Sequence, residues 1–200
     1  MSWVTKAKQS IKESIEVKKQ LAEDHAHIIV DMADRIVSRM INGGTLFLCG
    51  NGGSLADAQH LAAELLIRLR SSHNRQSLPA MCLATDMSSV TACGNDYGFD
   101  DIFSRPLEGL GRPNDILLSI TTSGKSPNIL KALKVAKEKG ILTLGFLGGN
   151  GGPAMGLCDS SLIVPSYSTA RIQESHITAG HILMELIEDM LIEKGNLKLI

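Results

Sequence analysis

Two stretches of this chain carry side chains of the kind that hold metals and move protons. In SLADAQHLAAEL, from Ser54 to Leu65, His60 and Glu64 stand four residues apart. On a helix they project from nearly one face, offset by about 40°. In ARIQESHITAGH, from Ala170 to His181, Gln173 and His181 stand eight residues apart. Their helical offset is about 80°, which still leaves them a broad common face. Imidazole, carboxylate and amide oxygen together suit a borderline cation such as zinc. A surface His/Glu contact and a hydrogen-bonded core histidine would read the same way, so spacing alone leaves both open. His25, His27, His73 and His176 have no comparable partners and are read as ordinary residues.

Two loops could hold the substrate of such a centre. GNGGS, Gly50 to Ser54, runs from an apolar strand-like segment straight into the His60 helix. Its glycines let the backbone turn tightly beside a ligand, and the helix start offers unpaired N–H groups. Gly50 and Gly52 match the opening of a dinucleotide fingerprint, but Leu55 holds the third glycine position, so that reading fails. TTSGKS, Thr121 to Ser126, brings the hydroxyls of Thr121, Thr122, Ser123 and Ser126 in front of Pro127, a favoured first-turn residue. Ser126 is a natural N-cap. Hydroxyls and helix N–H groups can bind a phosphate monoester without a dense cationic site, and the spacing is not that of a Walker loop. A plain turn and an ordinary capped loop are the alternatives. Asn95 and Asp96, in CGNDYGFDD, could hydrogen-bond sugar hydroxyls from a turn. GGNGG, Gly148 to Gly152, reads as a flexible loop without chemistry.

The elements that must position these groups alternate. TLFLC, PAMCLA, DILLSI, ILTLGFL and SSLIVP are five short apolar runs. Helical patterns separate them at about 54–68 and 127–139, with short helical pieces before residue 104 and a long final helix at about 170–193. Such alternation predicts an α/β fold, a five-stranded parallel sheet flanked by helices, with ligands bound beyond the carboxyl ends of the strands. Ahead of it, residues 1–44 form N-terminal helices, an extension ended by Asn42-Gly43-Gly44, that pack on their own domain or on a neighbouring subunit. Residues 45–200 are expected to form the α/β domain.

Composition excludes several classes. A net charge of -1 without a basic run gives no electrostatic reason to expect nucleic acid or an anionic membrane. No apolar stretch has membrane-spanning length, and the first residues lack the apolar core of a signal peptide. The four cysteines, Cys49, Cys82, Cys93 and Cys158, form no C-x-x-C pair. Cys49 and Cys82 sit in strand-like runs as buried thiols. A cytoplasmic location is expected.

GNGGS, D-A-x-H-x-A-x-E-L, GNDYGFDDIFSR, TTSGKS and RIQESH followed by His181 together resemble the phosphoheptose (sedoheptulose 7-phosphate) isomerases of the sugar-isomerase (SIS) domain superfamily. The resemblance runs from about residue 10 to 193 and implies that residues 45–200 are the SIS domain. It implies a flavodoxin-like three-layer sandwich, one zinc ion per subunit, and a homotetramer with sites at subunit interfaces. The activity implied is the first step toward ADP-heptose for the lipopolysaccharide core. By motif position, His60, Glu64, Gln173 and His181 would form the metal and catalytic cluster. Asn51, Gly52, Gly53, Ser54, Glu64, Asn95, Asp96, Thr121, Thr122, Ser123, Ser126 and Gln173 would contact the sugar phosphate. Thr121 stands where many relatives carry Ser, which keeps the hydroxyl; Ala170 stands where some carry Asp, so no acid role transfers there.

Aldose–ketose exchange needs one group to take a carbon proton and another to serve oxygen. Glu64 is the expected base and His181 the expected acid/base partner. The alternative is a non-catalytic SIS-domain adaptor that binds the replication initiator, in which the counterparts of Glu64 and His181 are other residues. A sugar-sensing transcription regulator would need a DNA-binding module that the N-terminal segment lacks the length and charge to provide.

Overall fold

The computed structural model describes residues 1–199. Helix α1 spans Trp3–Ile41 as one continuous element, where the sequence pattern suggested more than one helix. No glycine or proline interrupts it. The Ser2 side chain accepts from the Thr5 N–H at its start, and the Asn42 N–H closes its end on Arg39 and Met40. From Leu21 onward its apolar stripe is buried (Ile29, Met32, Ile36, Val37), whereas Trp3, Val4, Ile11 and Ile15 in its first half stay exposed.

Five parallel strands follow: β1 (Leu46–Gly50), β2 (Ala80–Cys82), β3 (Ile116–Thr121), β4 (Leu142–Gly148) and β5 (Ser160–Val164), in spatial order β2-β1-β3-β4-β5. Strands β1, β3 and β4 are buried along their whole length, as continuous apolar runs in a parallel sheet must be. Alternation splits their side chains between two cores. Leu46, Leu48, Leu118 and Phe146 pack with α1, α2 (Gly53–Leu66) and α7 (Thr169–Glu193). Phe47, Cys49, Leu117 and Leu147 face α4 (Ser104–Leu110), α5 (Pro127–Glu138) and α6 (Gly152–Met155). Between β2 and α4 lie α3 (Met87–Asp96) and a short 3-10 turn at Phe99–Asp101. This is the expected three-layer α/β arrangement.

The chain leaves β1 toward β2 on one side and later returns to β3 on the other. Helix α2, after β1, packs on one face, and α5, after β3, packs on the opposite face. The loops ending β1 and β3 therefore part and leave a crevice at the switch point.

Candidate active site

The crevice is a cleft of about 350 Å³ lined by Asn51, Gly52, Gly53, Ser54, Thr121, Thr122, Ser123, Ser126 and Gln173, with Ile120 and Thr169. The two loops singled out in the sequence thus meet in space. Gly52 holds φ at +57°, a conformation that side chains disfavour, and caps α2 without a side-chain bond. Ser126 occupies the N-cap of α5 but makes no capping bond, so its hydroxyl remains free for a ligand. Thr121 and Ser123 shape their own loop, accepting from the N–H groups of Gly124 (3.2 Å) and Lys125 (3.3 Å). Lys125 does not line this cleft; it lines a neighbouring opening with Gly148, Gly149 and Asn150 of the glycine loop after β4. The cleft is therefore built from neutral donors and the starts of two helices, which suits a dianion without a fixed counter-charge.

Asn51 lines the cleft, yet its amide is paired reciprocally with that of Asn128, both bonds at 2.9 Å. Asn128 is buried and also accepts from the Ile129 N–H. This pair stitches the α2 loop to the α5 start. It was missed in the sequence because a polar residue at the second position of an amphipathic helix carries no signal of its own.

Beside the cleft, His60, Glu64 and His181 bring one donor atom each to within 4.8 Å of one another. His60 Nε2 lies 2.7 Å from His181 Nε2 and 3.4 Å from Glu64 Oε1. Two facing Nε2 atoms are satisfied when one carries the proton, or when both lone pairs turn onto a cation. Two imidazoles and a carboxylate are a donor set that divalent metals of the zinc type accept. The geometry therefore fits a metal, and His60, Glu64 and His181 come together as the family resemblance implied, which spacing alone had left open. The His60 side chain is 46% exposed and that of Glu64 16%, so one wall of the centre is open within the single chain.

Helices α2 and α7 position this centre by running side by side. At their first meeting a Cβ on Gly53 would come 2.6 Å from Gln173 Nε2. At the second, a Cβ on Gly180 would come 2.6 Å from Leu61 Cδ1. Gly180 precedes His181 and Leu61 follows His60, so this close approach brings the two rings together. Gln173 stands at the cleft end of the pair, against the α2 loop.

Asp57, one turn ahead of His60 on α2, went unread in the sequence. Burial pushes its carboxyl above the ordinary range, while His60 and His181 pull it back. Asn95 and Asp96 fall on the last turn of α3 rather than in a loop; both are exposed and their side chains bond each other at 2.7 Å. Asp96 lines a different cavity, with Tyr97 and Arg105, and neither residue lines the cleft. The sequence pattern could not place them because their helix buries no residue against the domain. Cys49 ends beside the cleft but is no nucleophile, since burial pushes its thiol up to about 12. His176 is buried with Nε2 on the Leu147 carbonyl at 3.0 Å, a core histidine as its lack of partners suggested.

A model of the SIS domain matches residues 9–148. The phosphoheptose isomerase of Chlorobaculum parvum is 51% identical over 89% of this chain and 86% of its own length. That of Aquifex aeolicus is 49% identical over 95% of this chain and 98% of its own. The solved structure of a phosphoheptose isomerase from Francisella tularensis superposes with a TM-score of 0.90 at 38% identity, covering 94% of this chain and all of that one. The chain therefore belongs to the phosphoheptose isomerases of the SIS-domain family.

Proposed function

We infer that the protein is an aldose–ketose isomerase. It converts D-sedoheptulose 7-phosphate to D-glycero-D-manno-heptose 7-phosphate, the entry to ADP-heptose for lipopolysaccharide core. The observation that carries this reading is a phosphate-sized cleft at the N-terminal ends of α2 and α5, with a proton-transfer triad further along α2 and on its neighbour α7. The cleft would hold the 7-phosphate through Thr122, Ser123, Ser126 and the N–H group of Gly53, while the Ser54 N–H is already bonded to the Asn51 carbonyl at 3.1 Å. The sugar would then extend along α2 toward Glu64. Glu64 takes the proton from C1 and returns it to C2, while His181 moves a proton between the oxygens on those carbons. An enediol is the intermediate, and the atoms balance with no co-reactant.

His60, Glu64 and His181 would hold the metal, with Gln173 as a fourth ligand or a contact to the sugar. Zinc is the ion that this donor set suits best, and when bound it polarises the substrate carbonyl and stabilises negative charge on oxygen. The open wall of the triad and the bare apolar half of α1 support a homotetramer whose sites complete at subunit interfaces, with residues 1–44 serving assembly. In that arrangement Asn95 and Asp96 would reach substrate across an interface. No described helix is long and apolar enough to cross a membrane. A cytoplasmic location is our reading. The adaptor alternative is not favoured, since the two residues that separate it, Glu64 and His181, are both present and in contact range of His60.

Turnover of sedoheptulose 7-phosphate by metal-replete and chelator-stripped protein tests this. Conversion abolished by stripping and restored by zinc is the expected result. Full activity in verified metal-free protein would remove the metal from the account, and no turnover in replete protein would remove the substrate.

A further inference from the structure

The α2–α7 pair has a third meeting point beyond Gly53/Gln173 and Leu61/Gly180. Arg75, in the segment after α2, is buried, and so is Glu188 of α7. Arg75 Nε donates to Glu188 Oε1 at 2.5 Å. The same guanidinium donates Nη2 to the Glu64 carbonyl at 2.9 Å and Nη1 to the Leu65 carbonyl at 2.9 Å. These are last-turn carbonyls of α2, which an α-helix leaves without partners of its own. Arg70 closes the other carboxylate oxygen of Glu188 at 2.6 Å and reaches Asp189 as well.

We propose that Arg75 and Glu188 are positioning residues of the isomerase, a latch that sets the distance between Glu64 and His181. The guanidinium holds the backbone of Glu64 itself. Glu188 lies seven residues after His181, which puts the two on one face of α7 within about 20°. One buried ion pair therefore links the peptide unit of the base to the helix face of its partner. The guanidinium donors also meet the partly negative C-terminal end of α2, where a helix favours cations. A buried ion pair is weak grounds for stability, because an apolar pair of equal size often does as well. What an apolar pair cannot supply is a donor set aimed at the Glu64 carbonyl.

The latch sits at the C-terminal end of α2, and the phosphate cleft at its N-terminal end. Its loss should lower kcat and leave phosphate-driven KM in place. This inference rests on the isomerase site proposed above. The test uses full-length Arg75→Met/Glu188→Leu, which swaps the pair for apolar bulk, and Glu188→Gln, which keeps the shape and removes the charge. Thermal unfolding, kcat, KM and zinc affinity by competition with a chromogenic chelator are read on each and on wild type. The expected result is a folded double variant with kcat down ten- to a hundredfold, KM within threefold, and zinc affinity down at least fivefold; Glu188→Gln falls between it and wild type. A folded double variant with kcat and zinc affinity within twofold of wild type overturns the latch. So does a fall in kcat matched by an equal rise in KM. Wild-type protein that turns over without binding zinc would fail the metal reading instead, and kcat alone then decides the latch. Wild-type protein that binds zinc without turnover would fail the substrate reading, and zinc affinity then decides it.

Discussion

The cleft that we read as the phosphate site, at the starts of α2 and α5, and the His/Glu/His triad further along α2 and on α7 are built in opposite ways. The cleft uses backbone N–H groups and short hydroxyl side chains in two loops, tied to each other by the buried Asn51–Asn128 amide pair. Thr121 and Ser123 are held in turn by the N–H groups of Gly124 and Lys125. The triad uses longer side chains from the middle of two helices, half open on one side. Its geometry depends on how α2 and α7 pack rather than on any local loop. On our reading, binding is set by the two loops and chemistry by helix spacing, so changes in the two regions should separate in KM and kcat.

The largest effect should come from the triad. His60→Ala removes one of two facing imidazoles and should lower zinc affinity by more than the 10- to 100-fold typical of outer-shell partners. Competition titration with a chelator checks this, and an unchanged affinity would place the metal elsewhere. On the cleft side, Thr122→Val with Ser126→Ala removes two hydroxyls from the phosphate. At about 1.5–3 kcal/mol for a hydrogen bond to a charged group, KM should rise on the order of tenfold or more per hydroxyl, with kcat nearly kept. A fall in kcat with KM unchanged would mean that the two regions are not separate.

A last effect concerns stability alone and leaves both regions untouched. Burial lowers the His176 pKa to about 4 in the folded chain, from an unfolded value of 6.5. The folded state thus holds the ring neutral, and its contribution is complete above pH 6.5 and lost as pH falls toward 4. By linkage that loss amounts to about 3 kcal/mol. Urea unfolding at pH 7 and pH 4.5 should show a smaller decline for His176→Phe than for wild type. Equal declines would assign the acid sensitivity to other groups.

Much of this was legible in the sequence. Five apolar runs and the helices between them set the sheet, and glycine or hydroxyl-rich loops marked the strand ends where ligands bind. His60 and Glu64 were readable because four residues is a helical repeat. What stayed hidden depends on contacts far apart in the chain. Arg75 and Glu188 are separated by more than a hundred residues, and a buried arginine looks like a surface one until its partners are seen. Asn128 and Asp57 were hidden for the same reason. Asn95 and Asp96 were expected beside the sugar and lie instead on an exposed helix, outside the cleft of the single chain. The single span of α1 was legible in principle, since it lacks breakers, but its change from exposed to buried at Leu21 depends on where α7 runs.

The most direct test of the division between binding and chemistry is Glu64→Gln. The change keeps the shape of the side chain and removes the base. Calorimetric binding of sedoheptulose 7-phosphate, read beside turnover, should show a Kd within a few-fold of wild type. Turnover should fall by a factor on the order of 10²–10⁴, the usual contribution of a general base. Near-native turnover in this variant would contradict the account, because the proton at C1 would then have another acceptor.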